Sequence, residues 1–212
     1  MTSKKKIALF GATGNMGGKL LGQALERGYT IKALVRNPAK LNFSSPEVEV
    51  LQGNATDLSD VETAIEGCDF VISCLGNVKQ VHIMYTAHNN ILKAAAQRAH
   101  PPKCLFVSSI GCGGTSWIVK QMLCLIGGRE GFNDYERADK RIREETTVPF
   151  VLVRPYALTD KPYTGRYYAS QQPKATFFKP ISRSDVAAFM LDAIDQDQWL
   201  GEKGVQLGGA KS

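Results

Sequence analysis

The stretch Lys6-Ile7-Ala8-Leu9-Phe10-Gly11-Ala12-Thr13-Gly14-Asn15-Met16-Gly17-Gly18 decides how the chain is read. Lys6 to Phe10 is a short apolar run ended by Gly11, the pattern of a buried strand. From Met16 to Arg27, the residues Met16, Leu20, Leu21, Ala24 and Leu25 fall on one helical face, and Gly28 follows as a stop. Between strand and helix stands G-x-x-G-x-x-G. Gly11 suits the tight turn, Gly14 lets backbone approach a pyrophosphate, and Gly17 lets the helix pack close to the strand. The helix N-terminus, with Thr13, Asn15 and Met16 around it, offers free N–H groups and a positive dipole to phosphates. A glycine triplet alone could be a tight turn. Framed by this strand and this helix, it reads as a dinucleotide-binding loop.

The next strand, Thr30 to Val35, chooses the dinucleotide. A site for NAD places Asp or Glu at this strand's end, to bond the ribose hydroxyls. Here the chain continues Arg36-Asn37-Pro38-Ala39-Lys40, with no carboxylate at the strand end. Arg36 can fork onto a 2′-phosphate, with Lys40 adding charge, so the expected cofactor is NADP(H).

Beyond this, strands and helices alternate. Strands are expected over Val48–Leu51, Asp69–Leu75, Cys104–Ser108 and Phe150–Val153. Helices are expected over Leu58–Glu66 (capped by Asp57), Val78–Ala99, Tyr135–Glu145 and Ser182–Ile194. Continuous apolar strands alternating with helices specify an α/β fold: a doubly wound parallel sheet in the order 3-2-1-4-5-6 with helices on both faces. One such domain is expected to span residues 1–212. Residues 111–134 and 159–180 break the alternation after strand ends. That is the edge where open α/β sheets bind ligands, so both segments are substrate-side candidates.

Composition narrows the function classes. With 43% apolar and 22% charged residues, a core can form without metal or disulfide staples. The net charge of +6 comes from scattered Lys and Arg, apart from Lys4-Lys5-Lys6 directly before the first strand, so no nucleic-acid face is expected. Cys68, Cys74, Cys104, Cys112 and Cys124 lack C-x-x-C spacing, and two or more lie in buried strands. They read as reduced thiols of a cytoplasmic protein, without a metal site. No apolar run reaches the roughly 20 residues of a membrane span, and no signal peptide is expected. His82, His88 and His100 have no ligand spacing and read as structural.

GATGNMGG, LVRNPAK, GCDFVISCLG, FVSSIG and VLVRPYALTD together resemble the atypical short-chain dehydrogenases of the NmrA-like NAD(P)-binding group. Within it, the biliverdin reductase B/flavin reductase family is the most similar, and KPYTGRYY and ISRSDVAAFMLDAI resemble that family's later segment. The resemblance implies that Gly53-Asn54-Ala55 sits by the adenine, although the family often has Asp at the place of Asn54. It implies that Leu75-Gly76-Asn77 lines the adenosine ribose, Ser108-Ser109 reaches the nicotinamide, and Arg154-Pro155-Tyr156 flanks its ring. Tyr156 stands where the flavin reductases typically have His.

The catalytic candidates are Ser109, Tyr156 and Lys140. Ser109 matches the family's active-site serine, able to polarise a substrate carbonyl or position the nicotinamide amide; otherwise it is a strand-end cap. Short-chain dehydrogenases pair Ser with Tyr-x-x-x-Lys. In Tyr135-Glu136-Arg137-Ala138-Asp139-Lys140 the spacing is one residue too long. One residue turns a helical side chain by about 100°, so no such dyad is expected and Tyr135 should matter little. Lys140 either approaches the nicotinamide ribose or pairs with Glu144 on the surface. The apolar run Trp117–Ile126 is a candidate lid, dimer face or core. The activity expected is NADPH-dependent hydride transfer to a planar or aromatic small molecule such as a flavin, quinone or conjugated carbonyl, by a monomer or homodimer. The alternatives are an NADP(H)-binding redox sensor without turnover, or an isomerase or dehydratase on the same fold.

Overall fold

The computed structural model describes residues 4–76, 83–113, 121, 124–125, 128–172 and 179–210. Strand β1 (Lys6–Phe10) leads through the glycine loop into α1 (Asn15–Glu26), then β2 (Thr30–Val35), β3 (Val48–Gln52) and α2 (Leu58–Ile65). β4 (Phe70–Ser73), α3 (Ile83–Ala96), β5 (Lys103–Val107), α4 (Arg129–Arg143) and β6 (Phe150–Pro155) follow. The chain then makes β7 (Leu158–Thr159), β8 (Tyr167–Ser170), β9 (Ile181–Ser182), α5 (Arg183–Ile194) and β10 (Gly201–Gly209). The sheet order is β3-β2-β1-β4-β5-β6-β10-β8, so the expected 3-2-1-4-5-6 core is present and is extended by two strands.

The strands are apolar on both faces because both faces are covered. Along β1, Ile7 and Leu9 join the core under α1 and α5, while Ala8 and Phe10 join the one under α2, α3 and α4. The same split recurs in β5, with Leu105 and Val107 on one side and Cys104 and Phe106 on the other. β1 pairs in parallel with both β2 and β4. The connections leave in opposite directions at this point, which opens a crevice at the strands' C-terminal ends. As the sequence indicates, Asp57 caps α2, accepting from the Ser59 and Asp60 N–H groups.

Several expectations need correction. β3 is half exposed, because it is the sheet edge and only one neighbour covers it. Within the expected helix 78–99, α3 runs from Ile83 to Ala96, and residues 77–82, including Asn77 and His82, lie outside the described residues. β10 was not expected. Its sequence GEKGVQLGG offers glycines, poor strand formers, and only Val205 and Leu207 as inward apolar residues. Within 159–172, β8 joins the far sheet edge against β10, and Thr159 joins β7, which pairs with β9. Most of Trp117–Ile126 lies outside the described residues. Among the described residues no helix is long and apolar enough to cross a membrane, no His/Cys/Asp/Glu group could hold a metal, and the five cysteines are unpaired.

His88 on α3 is fully buried and shares a 2.9 Å hydrogen bond between its Nε2 and Ser73 Oγ, at the end of β4. Its Nδ1 has no hydrogen-bond partner. Burial pushes the imidazole pKa down from 6.5 to about 4, opposed weakly by the charge of Asp139. Between these values the unfolded chain binds a proton that the folded chain refuses, so stability falls as pH falls. The contribution is complete above about pH 6.5, and about 3 kcal/mol is expected to be gone near pH 4. Urea unfolding from pH 7 to 4 checks this: the difference curve between wild type and His88→Gln should carry that slope, and parallel curves would refute it.

Candidate active site

The crevice between β1 and β4 holds two adjoining cavities that share Gly14, Cys74, Leu75 and Gly76. The first, about 240 Å³, is lined by Gly11, Thr13, Gly14, Arg36, Gly53, Asn54, Ala55 and Thr56, with Leu75, Gly76, Met84 and others. The second, about 590 Å³, is lined by Asn15, Met16, Ser108, Ser109, Phe132, Tyr135, Pro155, Tyr156, Leu158 and Arg183, with others.

The glycine loop is shaped by contacts that tolerate no side chain. Gly11 has φ +84°, and a Cβ there would stand 2.9 Å from the Cys74 carbonyl carbon at the end of β4. A Cβ on Gly17 would overlap the Gly11 carbonyl oxygen and stand 2.7 Å from its carbon and 2.9 Å from Ala12 Cα. The helix is therefore seated directly on the turn. Gly14 is the N-cap of α1, and no side chain caps the helix. Its first-turn N–H groups thus face the crevice without an acidic competitor, as a phosphate site requires. These glycines and uncapped amides fit a dinucleotide pyrophosphate.

At the adenosine end, β2 finishes at Val35 and Arg36 is exposed on the cavity wall. Asn54 makes an Asx turn, its Oδ1 accepting from the Thr56 N–H at 3.2 Å. Its own N–H donates to Asp60 Oδ2 at 2.8 Å, which occupies that carboxylate inside the protein. Asn90 Nδ2 holds the Ala55 carbonyl at 3.3 Å. Lys40 lines a groove with Lys19 that meets the first cavity at Thr13 and Gly14.

At the other end, β5 and β6 deliver Ser109, Pro155 and Tyr156 to one wall. Ser108 has a different task. Its side chain is buried and donates to Asp139 Oδ2 at 2.8 Å. Asp139, 1% exposed, also accepts from Arg154 Nε at 2.9 Å and Arg154 Nη2 at 2.7 Å, and from Arg143 Nε at 2.9 Å. Arg154 is 3% exposed, and its guanidinium fills the space where side chains of Gly113 and Gly204 would stand. Both glycines have positive φ. This buried cluster ties the ends of β5, β6 and β10 to α4 directly behind Ser109 and Tyr156.

α4 departs from the sequence reading. Lys140 is not in the cleft: its side chain is 67% exposed and lies 3.7 Å from Glu144, so the surface pair is the reading that holds. Helical phase does separate Tyr135 from Lys140, but Tyr135 is the residue that faces the cleft. Its Oη lies 3.1 Å from where a side-chain carbon on Gly76 would stand. One turn after Tyr135, where a tyrosine–lysine dyad has its lysine, stands the buried Asp139. Phe132, inside the expected substrate-side segment 111–134, also lines this cavity, as does Arg183, which the sequence reading does not single out. Phe132 lies one turn before Tyr135 on the same face, a spacing the sequence does contain.

Comparison with known proteins places the fold and the family. Relatives include the oxidoreductase aflX of Aspergillus parasiticus, 28% identical over 91% of this chain and 79% of that one. An isoflavone reductase homolog of Zea mays is 28% identical over 70% of this chain and 47% of that one. Among solved structures, the anaerobilin reductase ChuY from Escherichia coli O157:H7 superposes with a TM-score of 0.79 at 22% identity, covering 99% of this chain and 98% of that one. The oxidoreductase ylbE from Lactococcus lactis gives 0.81 at 19% identity, covering 98% and 92%. The model of the NAD(P)H-binding family matches residues 11–197, from the first glycine of the loop to beyond α5, and the chain belongs to that family.

Proposed function

We propose that the protein is an NADPH-dependent reductase of a planar, conjugated small molecule. The observation that carries the reading is the continuity of the crevice. A cavity with a phosphate cradle and Arg36 opens into a larger one walled by Met16, Phe132, Tyr135 and Tyr156, with hydroxyls at Ser109 and the two tyrosines. When bound, the nicotinamide cofactor supplies hydride. The chain's own residues hold and orient. Gly11, Gly14 and the α1 amides take the pyrophosphate, and Arg36 takes the 2′-phosphate. Pro155 and the aromatic walls exclude water and keep a flat substrate in place. Ser109 donates a hydrogen bond to the substrate oxygen or nitrogen that gains charge on reduction. Names of reductases and oxidoreductases among the relatives support the same class.

The test is NADPH oxidation with a panel of flavins and quinones, with cofactor binding measured separately. Ser109→Ala is expected to lower turnover about hundredfold, the usual scale for one donor to developing charge, while NADPH affinity is nearly kept. Arg36→Ala should weaken NADPH about ten- to hundredfold and leave NADH unchanged. Tight NADPH binding without oxidation by any acceptor would favour the sensor. Equal NADPH and NADH affinity in the wild type would remove the 2′-phosphate role of Arg36.

A further inference from the structure

We infer that the base end of the smaller cavity does not read the 6-amino group of adenine, so that a 6-oxo purine dinucleotide is held as well as NADPH. The inference rests on the dinucleotide reading of that cavity and extends it to the edge of the base. The loop from Gly53 to Thr56, between β3 and α2, lines the cavity together with the phosphate cradle and Arg36. An adenine edge presents a donor, the 6-amino group, beside an acceptor, N1. A 6-oxo purine presents the reverse. Telling the two apart takes a protein acceptor at the amine that the fold has not already engaged.

The loop keeps its acceptors to itself. Asn54 Oδ1 accepts from the Thr56 N–H at 3.2 Å, the Asn54 carbonyl from the Asp57 N–H at 2.9 Å, and the Ala55 carbonyl from Asn90 Nδ2 at 3.3 Å. The neighbouring carboxylates are engaged as well: Asp57 caps α2, and Asp60 accepts from the Asn54 N–H at 2.8 Å. No carboxylate is among the described residues that line the cavity. What the loop leaves over is donors. The N–H groups of Gly53, Asn54, Thr56 and Asp57 have acceptors at Val35, Asp60 and, for the last two, Asn54, while that of Ala55 has none among the described residues. The Thr56 N–H can bond only an oxygen, so Oδ1 is the end of the Asn54 amide held in the loop and Nδ2 is the end turned away from it. A donor serves N1 of adenine and O6 of a 6-oxo purine alike. The Thr56 hydroxyl gives or takes and favours neither.

NADPH and its deamino analogue, with hypoxanthine in place of adenine, differ only at this edge. Calorimetric titration of the full chain with each reads affinity without turnover. Wild type is expected to bind the two within about threefold of each other, where an amine-reading acceptor would separate them by about tenfold. Asn54→Asp should open a gap of about tenfold or more in favour of NADPH. A carboxylate keeps the Thr56 bond with one oxygen, offers the other to the amine and repels O6. The 2′-phosphate is common to both ligands, so its repulsion of the new carboxylate cancels in the ratio. Asn54→Ala, which disturbs the loop without supplying an acceptor, should leave the ratio near one whatever it does to each affinity. A larger wild-type preference for NADPH, a ratio unmoved in Asn54→Asp, or binding of neither ligand overturns the inference. The reductase reading fails separately: if both dinucleotides bind alike but neither is oxidised by any acceptor, that reading falls and the base site stands.

Discussion

Asp139→Ala is expected to destabilise the protein by about 3–5 kcal/mol, because it leaves the Arg154 guanidinium charged, buried and without its bidentate partner. The loss should exceed the sum of ordinary hydrogen-bond deletions. Ser108 Oγ loses its acceptor in the same step, and Gly113 and Gly204 allow the guanidinium no room to turn aside. Arg154→Met on the same background should recover part of the loss, since a buried pair replaced whole is tolerated far better than one halved. Urea unfolding of the two single variants and the double variant gives the coupling. A cost below about 1 kcal/mol for Asp139→Ala would show the cluster to be hydrated and the argument wrong.

Gly17→Ala should reduce affinity for NADPH by about hundredfold or more, even though the substitution is a good one for a helix in isolation. The added carbon meets backbone atoms of Gly11 and Ala12, which cannot swing away as a side chain would. Either α1 or the turn must move, and the first-turn amides leave the phosphate position. Losing two charged hydrogen bonds costs about 3 kcal/mol or more, which sets the scale. Gly14→Ala is the informative companion, since its carbon would stand 3.3 Å from the Gly11 carbonyl oxygen, tight but bearable for the fold. Gly14→Ala should remain folded and lose affinity through crowding of the ligand. Calorimetric titration with circular dichroism on both variants decides it. A folded Gly17→Ala that binds normally would mean that the loop holds something other than the pyrophosphate.

The cofactor half of the crevice is legible in the sequence because its signals are local. The strand, the turn glycines and the start of the helix lie within thirteen residues, Lys6 to Gly18, and Arg36 follows at the next strand's end. The other half is assembled from distant segments. Asp139 looks like an ordinary surface charge in a line of text, and the resemblance puts Arg154 beside the nicotinamide; only packing of α4 against β6 shows the two buried together. The sequence reading sets Tyr135 aside because Lys140 is out of phase with it, but that phase does not keep Tyr135 out of the cleft. Arg183 opens a helix whose residues otherwise signal only core. β10 escapes because the glycine that weakens it as a strand, Gly204, is the one that makes space for Arg154.

The unequal stitching of the sheet has a further effect on how the molecule breathes. β1, β2, β4, β5 and β6 are long, doubly paired and covered on both faces, whereas β7 and β9 are two residues each and β8 hangs on β10 alone. Transient openings start where few bonds must be broken, so backbone amides around β7, β8 and β9 should exchange with solvent at low free-energy cost while those of β1 and β4 wait for global unfolding. Both cavities would then rest mainly on the slow part of the protein, and the larger one meets the fast part only at its rim, through Leu158 of β7 and Arg183 just after β9. Opening there would loosen the rim of that cavity while its floor stays in place.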